Sequence, residues 1–249
     1  MRSTCKILAH RGASADRPEN TLEAFRLAMR HCADGFELDV HLTQDGHVVV
    51  AHDEALERVS NGNGLIADHK LEDLKKLTFS KQYPSQPSCE IPTLAEVYAL
   101  VADTKYTINV ELKNTMLPYL ELPQKLIDLE LEYAMTGRVI YSSFNHYPLR
   151  TIQQLAAKAE REAQIGLLYE SNLLDPWLYA KNVGASAIHP HYKILKAYPE
   201  IVESCREHGI KVNTWTVDEL ADMEFLFKLN VDAIITGKPN VAYFLRDDE

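Results

Sequence analysis

Short apolar segments alternate with longer amphipathic segments along most of this chain. The short segments are rich in Val, Ile and Leu, as buried strands are, while the longer ones repeat apolar residues with helical periodicity, as at 21–31 and 218–229. This alternation predicts a parallel sheet covered by helices, and eight such strands favour a closed α/β structure, the (β/α)8 TIM barrel. The predicted strands cover residues 7–9, 36–40, 107–112, 139–142, 164–169, 185–188, 212–216 and 232–236.

A further apolar run, Val48–Val50, does not fit the barrel count. It follows the second strand after only the turn at 43–46, whereas a parallel crossover needs about a dozen residues. We therefore expect it to fold back as the antiparallel arm of a hairpin. Residues 53–91 are rich in Asn, Gly, Asp and Pro, carry one weak helix at 71–77, and are predicted to form a small insertion over the barrel mouth. The sequence thus predicts a single barrel domain over residues 1–249.

Composition narrows the classes of partner. With 249 residues, 46% of them hydrophobic, the chain can form one large core without disulfide bonds. The formal net charge of −10 leaves no basic surface for nucleic acid, so we expect no nucleic-acid partner. The scattered cysteines favour reduced thiols and a cytoplasmic protein. We expect no signal peptide, no membrane span and no stable membrane association, and the sequence leaves a homo-oligomer open.

Charged and ionisable residues cluster where the predicted strands end. In a barrel of this kind the carboxyl ends of the strands meet at one face, where the connecting loops build the active site. Because so many polar residues fall at these ends, we expect an active site there rather than scattered surface charge. The residues concerned are His10, Arg11, Glu37, Asp39, His52, Glu111 and Lys113.

Three of these residues are carboxylates that we expect in one small cavity. Glu37 and Asp39 lie two apart on a strand, so they point to the same face, and Glu111 lies on the next barrel strand. Three buried negative charges are tolerated only if they are protonated or bound to a cation. Oxygen ligands suit Mg²⁺ or Ca²⁺, and no cysteine or histidine cluster favours zinc. An alternative is a structural ion network in which Glu37 and Glu111 pair with Arg11 and Lys113.

Two histidines, His10 and His52, end segments that the hairpin brings to the same barrel mouth. Since a histidine can donate or accept a proton near neutral pH, the pair can divide the acid and base roles of a catalyst. His189 follows the sixth strand and is compatible with packing or with lining the mouth. The other histidines are interpreted as packed or surface residues: His31, His41, His47, His69, His146, His191 and His208.

Two cations and two aromatic residues complete the candidate site. Arg11 and Lys113 supply fixed positive charge beside the carboxylates, as binding of a phosphate requires, with salt bridging as their alternative role. Phe144 and Trp215 are expected to form an apolar wall against an alcohol group, or else to belong to the core.

These residues stand in motifs whose order and spacing can be compared with known families. The motifs are His10-Arg11-Gly12, Pro18-Glu19-Asn20-Thr21, Glu37-Leu38-Asp39-Val40, Thr43-Gln44-Asp45-Gly46, His52-Asp53, the stretch Arg58–Gly64, Glu111-Leu112-Lys113 and Asn213-Thr214-Trp215-Thr216-Val217. Together they resemble the glycerophosphodiester phosphodiesterase family, which has the barrel fold of the phospholipase C-like phosphodiesterases. The resemblance extends from His10 to about Pro239, and the insertion falls where that family also carries one.

The resemblance implies hydrolysis of glycerophosphodiesters to glycerol 3-phosphate and an alcohol, with Mg²⁺ or Ca²⁺ as cofactor. The sequence departs from the family pattern after the last strand, where Gly237 stands in place of the usual Asp and Lys238 follows. By position it implies these roles: acid/base catalysis for His10 and His52, metal binding for Glu37, Asp39 and Glu111, phosphate contacts for Arg11 and Lys113, and a glycerol or leaving-group pocket bordered by Phe144 and Trp215.

The mechanism that we expect begins with a metal that binds a phosphate oxygen and the glycerol 2-hydroxyl. His10 then removes the hydroxyl proton, His52 protonates the leaving alcohol, and water opens the cyclic phosphate; direct attack by water is the competing route. Two other functions stay open: lysophospholipase D- or phospholipase C-like hydrolysis of lipids, and non-catalytic binding of a phosphorylated metabolite. The sequence does not identify the leaving alcohol.

Overall fold

Eight parallel strands form a closed barrel in the computed structural model, which describes residues 4–248. The strands are β1 (Lys6–His10), β2 (Gly35–Leu42), β3 (Val48–Val50), β4 (Thr107–Leu112), β5 (Val139–Ser143), β6 (Gln164–Tyr169), β7 (Ala187–Pro190), β8 (Lys211–Thr214) and β9 (Ala233–Thr236). They pair in the order β1-β9-β8-β7-β6-β5-β4-β2, and β1 also pairs with β2, which closes the ring. The (β/α)8 barrel predicted from the sequence is confirmed.

Helices lie between the strands. They are α1 (Leu22–Arg30), α2 (Leu71–Leu74), α3 (Leu94–Leu100), α4 (Leu122–Glu132), α5 (Tyr147–Lys158), α6 (Pro176–Val183), α7 (Tyr192–Ala197), α8 (Glu200–Glu207), α9 (Leu220–Leu229) and α10 (Pro239–Asp248). Thr21 caps α1, because its hydroxyl oxygen accepts a hydrogen bond from the Ala24 N–H at 3.2 Å. The helix packs on the barrel through Phe25, whose ring stacks on Phe36 of β2 with centroids 5.1 Å apart. Among residues 4–248, no helix combines the length and the apolar character that crossing a membrane requires.

The one strand outside the eight-stranded barrel in the described part of the chain is β3. It pairs antiparallel with β2, with Val50 opposite Val40. The hairpin arm predicted from the short turn is therefore observed. The N–H of Ala51 also donates a hydrogen bond to the Asp39 carbonyl at 3.0 Å. His52 consequently leaves the hairpin beside Asp39.

Six of the eight barrel strands begin or end one or two residues away from the predicted limits, as β7 and β8 illustrate. The prediction of 185–188 for β7 is two residues early, because the N–H of Ala185 still donates to the Ala180 carbonyl of α6 at 2.9 Å. Trp215 is predicted within the next strand, but β8 ends one residue before it. The Trp215 carbonyl accepts a hydrogen bond from the Tyr192 N–H of α7 at 3.0 Å. At β7 the helix α6 takes the backbone hydrogen bond that would have begun the strand earlier, whereas after β8 Trp215 continues the pairing only as an isolated bridge to His191.

Residues 53–91 lie between β3 and α3 and have a hydrophobic cluster separate from the main core. This cluster includes Leu56, Ile66 and Phe79, together with residues of β3. The weak helix predicted in this segment is present as α2, but it ends three residues earlier than 77. The segment is thus tied to the hairpin arm that carries His52.

Gly35 begins β2 at a place where no side chain fits. A Cβ atom there would lie 2.0 Å from the carbonyl oxygen of Thr107 and 2.9 Å from a methyl carbon of Leu8. We predict that Gly35→Ala lowers the free energy of unfolding by about 3 kcal/mol, because the barrel backbone must shift to admit the methyl group. Chemical denaturation measures the loss.

Gly137→Ala is the matched control. Gly137 has a φ of +80°, and no atom lies within 4 Å of its Cβ position, so the change costs only about 1–2 kcal/mol of backbone strain. A smaller loss for Gly35→Ala than for Gly137→Ala would contradict the packing argument.

Candidate active site

The carboxylates of Glu37, Asp39 and Glu111 come together at the C-terminal end of the barrel. Glu37 and Asp39 alternate with Leu38 on β2, and the parallel register sets Asp39 opposite Glu111 of β4. One oxygen from each of the three residues lies within 4.8 Å of the other two, and all three residues are buried. Strand alternation and register therefore produce the acidic cluster.

The three carboxyl groups differ in how readily they ionise. Burial, reinforced by the charges of Asp39 and Glu111, raises the pKa of Glu37 well above its ordinary value. Burial and then Asp39 raise the pKa of Glu111 to about 7. Burial acts in the same direction at Asp39, but the charges of Arg11 and Lys113 outweigh it and lower its pKa. Asp39 is therefore ionised, whereas Glu37 and Glu111 retain protons more strongly.

Two cations flank the cluster. Lys113 Nζ donates to Glu111 Oε1 at 2.8 Å and lies 3.5 Å from Asp39 Oδ1. Arg11 Nε lies 3.4 Å from Asp39 Oδ2, while its Nη1 donates to Glu19 Oε1 at 3.0 Å. Asp39 thus lies between the two positive charges.

The structural ion network that the sequence left open is present only in part. Lys113 pairs with Glu111, as that network requires. Glu37 instead accepts a hydrogen bond from the backbone N–H of Arg11 at 3.1 Å. The Arg11 guanidinium is directed to Glu19 and Asp39, so Glu37 is not neutralised by a side-chain hydrogen bond from Arg11.

His10 ends β1 directly opposite Glu37 in the barrel register. Its Nε2 lies 3.9 Å from Glu37 Oε2. Burial, and then the charge of Arg11, lower the pKa of His10 to about 3. The ring is therefore neutral near pH 7, so one of its nitrogens is free of hydrogen and can accept a proton.

His52 lies between an acidic and a basic side chain. Its Nδ1 lies 2.5 Å from Asp53 Oδ1, and its Nε2 lies 3.0 Å from Lys113 Nζ. Burial opposes ionisation of Asp53, but hydrogen bonds from Arg58 and His52 outweigh it and lower the pKa of Asp53 to about 2. An ionised carboxylate only accepts hydrogen bonds, so Nδ1 of His52 carries the hydrogen and Nε2 is directed toward Lys113.

An aromatic wall borders the carboxylates. The rings of Phe144 and Trp215 meet edge to face with centroids 5.4 Å apart, and Trp215 Nε1 donates to the His189 carbonyl at 2.8 Å. Phe144 remains 40% exposed, so one side of the wall faces solvent. A cavity of about 20 Å³ lies between wall and carboxylates, bounded by His10, Glu37, Asn109, Glu111, Leu168, Trp215 and Ile235.

His189 and His41 are both buried, and the structure gives each a hydrogen-bond partner. His189, which the sequence left open, is buried inside the barrel with its Nε2 2.9 Å from Asn213 Nδ2. His41 is also buried, and its Nε2 lies 3.1 Å from the His52 carbonyl oxygen. His41 therefore supports the backbone that carries one of the two candidate catalytic histidines.

Sequence reasoning gave no individual role to several residues that contact the site. Asn20 Nδ2 donates to Asp39 Oδ2 at 2.8 Å. Arg58 binds both Glu19 and Asp53. All of them occur in the motifs that carry the family resemblance, which is the one signal that could have identified them.

A carboxylate is present beside Gly237, although the sequence lacks the usual Asp there. Asp218, from the loop after β8, accepts hydrogen bonds from Thr236 Oγ1 at 2.9 Å and from the Gly237 N–H at 2.8 Å. A Cβ atom at Gly237 would lie 2.9 Å from Ser14 Oγ, so the loop after β1 packs closely against this glycine. Lys238 also departs from the family pattern after the last strand. It approaches Glu219, with Nζ 4.0 Å from Oε1.

The donor set fits a hard divalent cation. All three converging side chains offer carboxylate oxygens, which Mg²⁺ and Ca²⁺ prefer. Asp39 Oδ1 is buried and accepts no hydrogen bond from protein, so it is available as a ligand.

The sequence and the fold both match known proteins. The family model of the glycerophosphoryl diester phosphodiesterases matches residues 10–241. The glycerophosphodiester phosphodiesterase of Caldanaerobacter subterraneus subsp. tengcongensis is 44% identical over 234 residues, which cover 94% of each chain. A glycerophosphodiester phosphodiesterase structure from Parabacteroides distasonis superposes with a TM-score of 0.84 at 26% identity, covering 100% of this chain and 99% of that one.

A phosphodiesterase from Oleispira antarctica, solved in complex with the product sn-glycerol-3-phosphate, superposes with a TM-score of 0.81 at 25% identity. The match covers 97% of this chain and 96% of that one. The family model alone extends over most of the chain, from the end of β1 into α10. This chain therefore belongs to the glycerophosphoryl diester phosphodiesterase family.

Proposed function

We propose that this protein hydrolyses glycerophosphodiesters to glycerol 3-phosphate and an alcohol. The observation that carries the proposal is the convergence of three carboxylates, two histidines and two cations at one end of the barrel. Relatives in the family are named for this activity, and the Oleispira antarctica structure contains sn-glycerol-3-phosphate. The arrangement supplies ligands for a cation, donors for a phosphate and two groups for proton transfer.

In this proposal Glu37, Asp39 and Glu111 hold a divalent cation, Mg²⁺ or Ca²⁺. When bound, the cation supplies positive charge that polarises the phosphate and lowers the pKa of an adjacent hydroxyl. Glu37 and Glu111 would then ionise, because the positive charge would offset the burial and the carboxylate repulsion that raise their pKa values.

The remaining roles belong to the chain's own side chains. Neutral His10 accepts the proton of the attacking oxygen, either the glycerol 2-hydroxyl or water, and His52, in its doubly protonated imidazolium form, gives the Nε2 proton to the departing alcohol. Attack by the 2-hydroxyl produces a cyclic phosphate, which water opens to the same product. Arg11 and Lys113 bind the non-bridging phosphate oxygens, where negative charge develops. Phe144 and Trp215 border the organic part of the substrate.

We further propose that residues 1–249 act as one domain, with 53–91 as a collar over the barrel mouth. Two hydrogen bonds support this arrangement, because they join the segment to the loop after β1. The hydroxyl of Tyr83 donates to the Ser14 carbonyl at 2.6 Å, and the side-chain amide of Gln86 donates to the Asp16 carbonyl at 2.9 Å. A cytoplasmic location and a homo-oligomer stay predictions from the sequence.

Turnover of defined glycerophosphodiesters tests the proposed reaction. We predict release of glycerol 3-phosphate from glycerophosphocholine, glycerophosphoethanolamine or glycerophosphoglycerol, loss of that release with a chelator, and its return with Mg²⁺ or Ca²⁺. His10→Ala and His52→Ala should each lower kcat by about 10²- to 10⁴-fold, the usual contribution of a proton-transfer group. Turnover that survives the chelator, or near wild-type turnover of either variant, contradicts the proposed mechanism.

Cation binding should depend on pH even without substrate. Because the pKa of Glu111 is about 7, protons compete with the cation more strongly as the pH falls. We predict that the Kd for Ca²⁺, measured by calorimetry, rises about tenfold from about pH 8 to about pH 6. Glu111→Gln should bind more weakly, and the pH dependence that remains should come from Glu37, whose pKa is also raised. Equal affinity at both pH values rules out Glu111 as the titrating ligand.

Apolar residues near the mouth favour a second candidate, hydrolysis of a lysophospholipid. A cavity of about 640 Å³ is lined in part by Phe144, Leu173 and Tyr179. Leu168 borders both this cavity and the small one beside the carboxylates, so the two adjoin. Leu173 is 38% exposed, as a residue that receives an acyl chain would be.

Comparing two substrates distinguishes the candidates. If the larger cavity receives an acyl chain, Leu173→Asp lowers kcat/KM for lysophosphatidylcholine about tenfold or more and leaves glycerophosphocholine nearly unchanged, because a charge replaces apolar surface. Failure of the wild-type protein to hydrolyse lysophosphatidylcholine, while it hydrolyses glycerophosphocholine, eliminates the second candidate.

A further inference from the structure

Arg58, in the segment 53–91, joins two carboxylates that belong to different parts of the chain. Its Nη1 donates to Glu19 Oε2 at 2.8 Å and its Nη2 to Glu19 Oε1 at 2.7 Å, a two-point contact. Its Nε donates to Asp53 Oδ2. One guanidinium therefore fixes Glu19 from the loop after β1 and Asp53 from the end of the hairpin.

Each of these carboxylates holds a residue of the proposed machinery. Asp53 uses its other oxygen, Oδ1, to bind Nδ1 of His52 at 2.5 Å. Glu19 uses Oε1 to bind Arg11 Nη1 at 3.0 Å, and Arg11 Nε lies 3.4 Å from the metal-cluster residue Asp39. A continuous chain of contacts thus joins His52, the candidate proton-transfer group, to Arg11, the candidate phosphate contact, and Arg58 lies at its centre.

The ion pairs of Arg58 contribute too little to the stability of the fold to explain why the network is present. The side chains of Arg58 and Asp53 are 36% and 28% exposed, and ion pairs with this much solvent contact contribute little to folding. Their geometry, in contrast, decides the direction of the His52 ring and of the Arg11 guanidinium. Small errors in such directions are costly to a reaction, since a displacement of about 1 Å can lower a rate about 100-fold.

We propose that Arg58 is a positioning residue, which aligns His52 through Asp53 and Arg11 through Glu19. The inference rests on the proposed function, because it takes His52 as the group that protonates the leaving alcohol. The positioning role gives a function to Arg58 of the Arg58–Gly64 motif, which takes no part in the proposed reaction itself. The segment 53–91 therefore acts on the chemistry through this contact.

Two substrates with different leaving groups test the link to His52. The alkoxide oxygen of ethanolamine must receive a proton as it leaves glycerophosphoethanolamine. In the p-nitrophenyl ester of glycerol 3-phosphate, p-nitrophenolate is a stable anion and leaves without a proton. Arg58→Gln and Asp53→Asn should each lower kcat for glycerophosphoethanolamine by about 10- to 100-fold and for the p-nitrophenyl ester by less than about threefold. Arg58→Gln, but not Asp53→Asn, should also raise KM for both substrates, because only Arg58 supports Arg11.

A double-mutant cycle separates positioning from general damage. In a His52→Ala background, Arg58→Gln should change kcat for glycerophosphoethanolamine by less than about threefold, since His52 is already absent, while its effect on KM through Arg11 should remain. Arg58→Lys, which keeps the charge but not the two-point contact, should recover part of the lost kcat. Arg17→Gln is the matched control, because among residues 4–248 Arg17 donates a hydrogen bond only to the Asp16 carbonyl in its own loop, and the change should leave both substrates unaffected.

Several outcomes overturn the inference. Equal loss of kcat on the two substrates, an unchanged kcat in Arg58→Gln, or additive effects of Arg58→Gln and His52→Ala each contradict alignment of His52. Thermal unfolding of every variant shows whether a loss reflects folding. If His52→Ala itself slows both substrates equally, the acid role of His52 fails, and this inference fails with it. If His52→Ala distinguishes the substrates and Arg58→Gln does not, only the role of Arg58 is wrong.

Discussion

Mutual repulsion of three buried carboxylates is the constraint around which this barrel end is organised. At separations within 4.8 Å and an effective dielectric constant of about 20, each ionised pair costs on the order of 3 kcal/mol. The surroundings of Asp39 reduce this cost at one member, because Arg11, Lys113 and the amide of Asn20 all face it. Burial and the neighbouring carboxylates raise the pKa values of Glu37 and Glu111, so these two groups hold protons more strongly than exposed carboxyl groups do.

The barrel itself determines which side chains share this end. Residues two apart on β2 face the same interior, and the register with β1 and β4 sets His10 beside Glu37 and Glu111 beside Asp39. The hairpin arm adds His52, because β3 pairs with β2 and ends next to Asp39. Closure of the sheet thus brings the candidate acid, base and ligand groups together without any long loop to carry them.

Contacts outside the barrel fix the orientation of these groups. Arg58 holds Glu19 and Asp53, and each of these carboxylates holds a residue of the site. Tyr83 adds a hydrogen bond from the segment 53–91 to the loop after β1. The segment and the loop thus share several contacts around the same charged residues. A change in either one is therefore expected to alter the positions of Arg11 and His52.

The sequence by itself determined the barrel and the acidic cluster, because strand burial and the alternation of Glu37 and Asp39 are local properties of the chain. It also determined the hairpin arm, since a short turn forbids a parallel crossover. Only the tertiary structure decided where β8 ends and which groups Arg58 joins. Those outcomes depend on backbone and side-chain partners far apart in the chain, 39 residues in the case of Arg58 and Glu19, and no periodicity within a segment encodes such contacts.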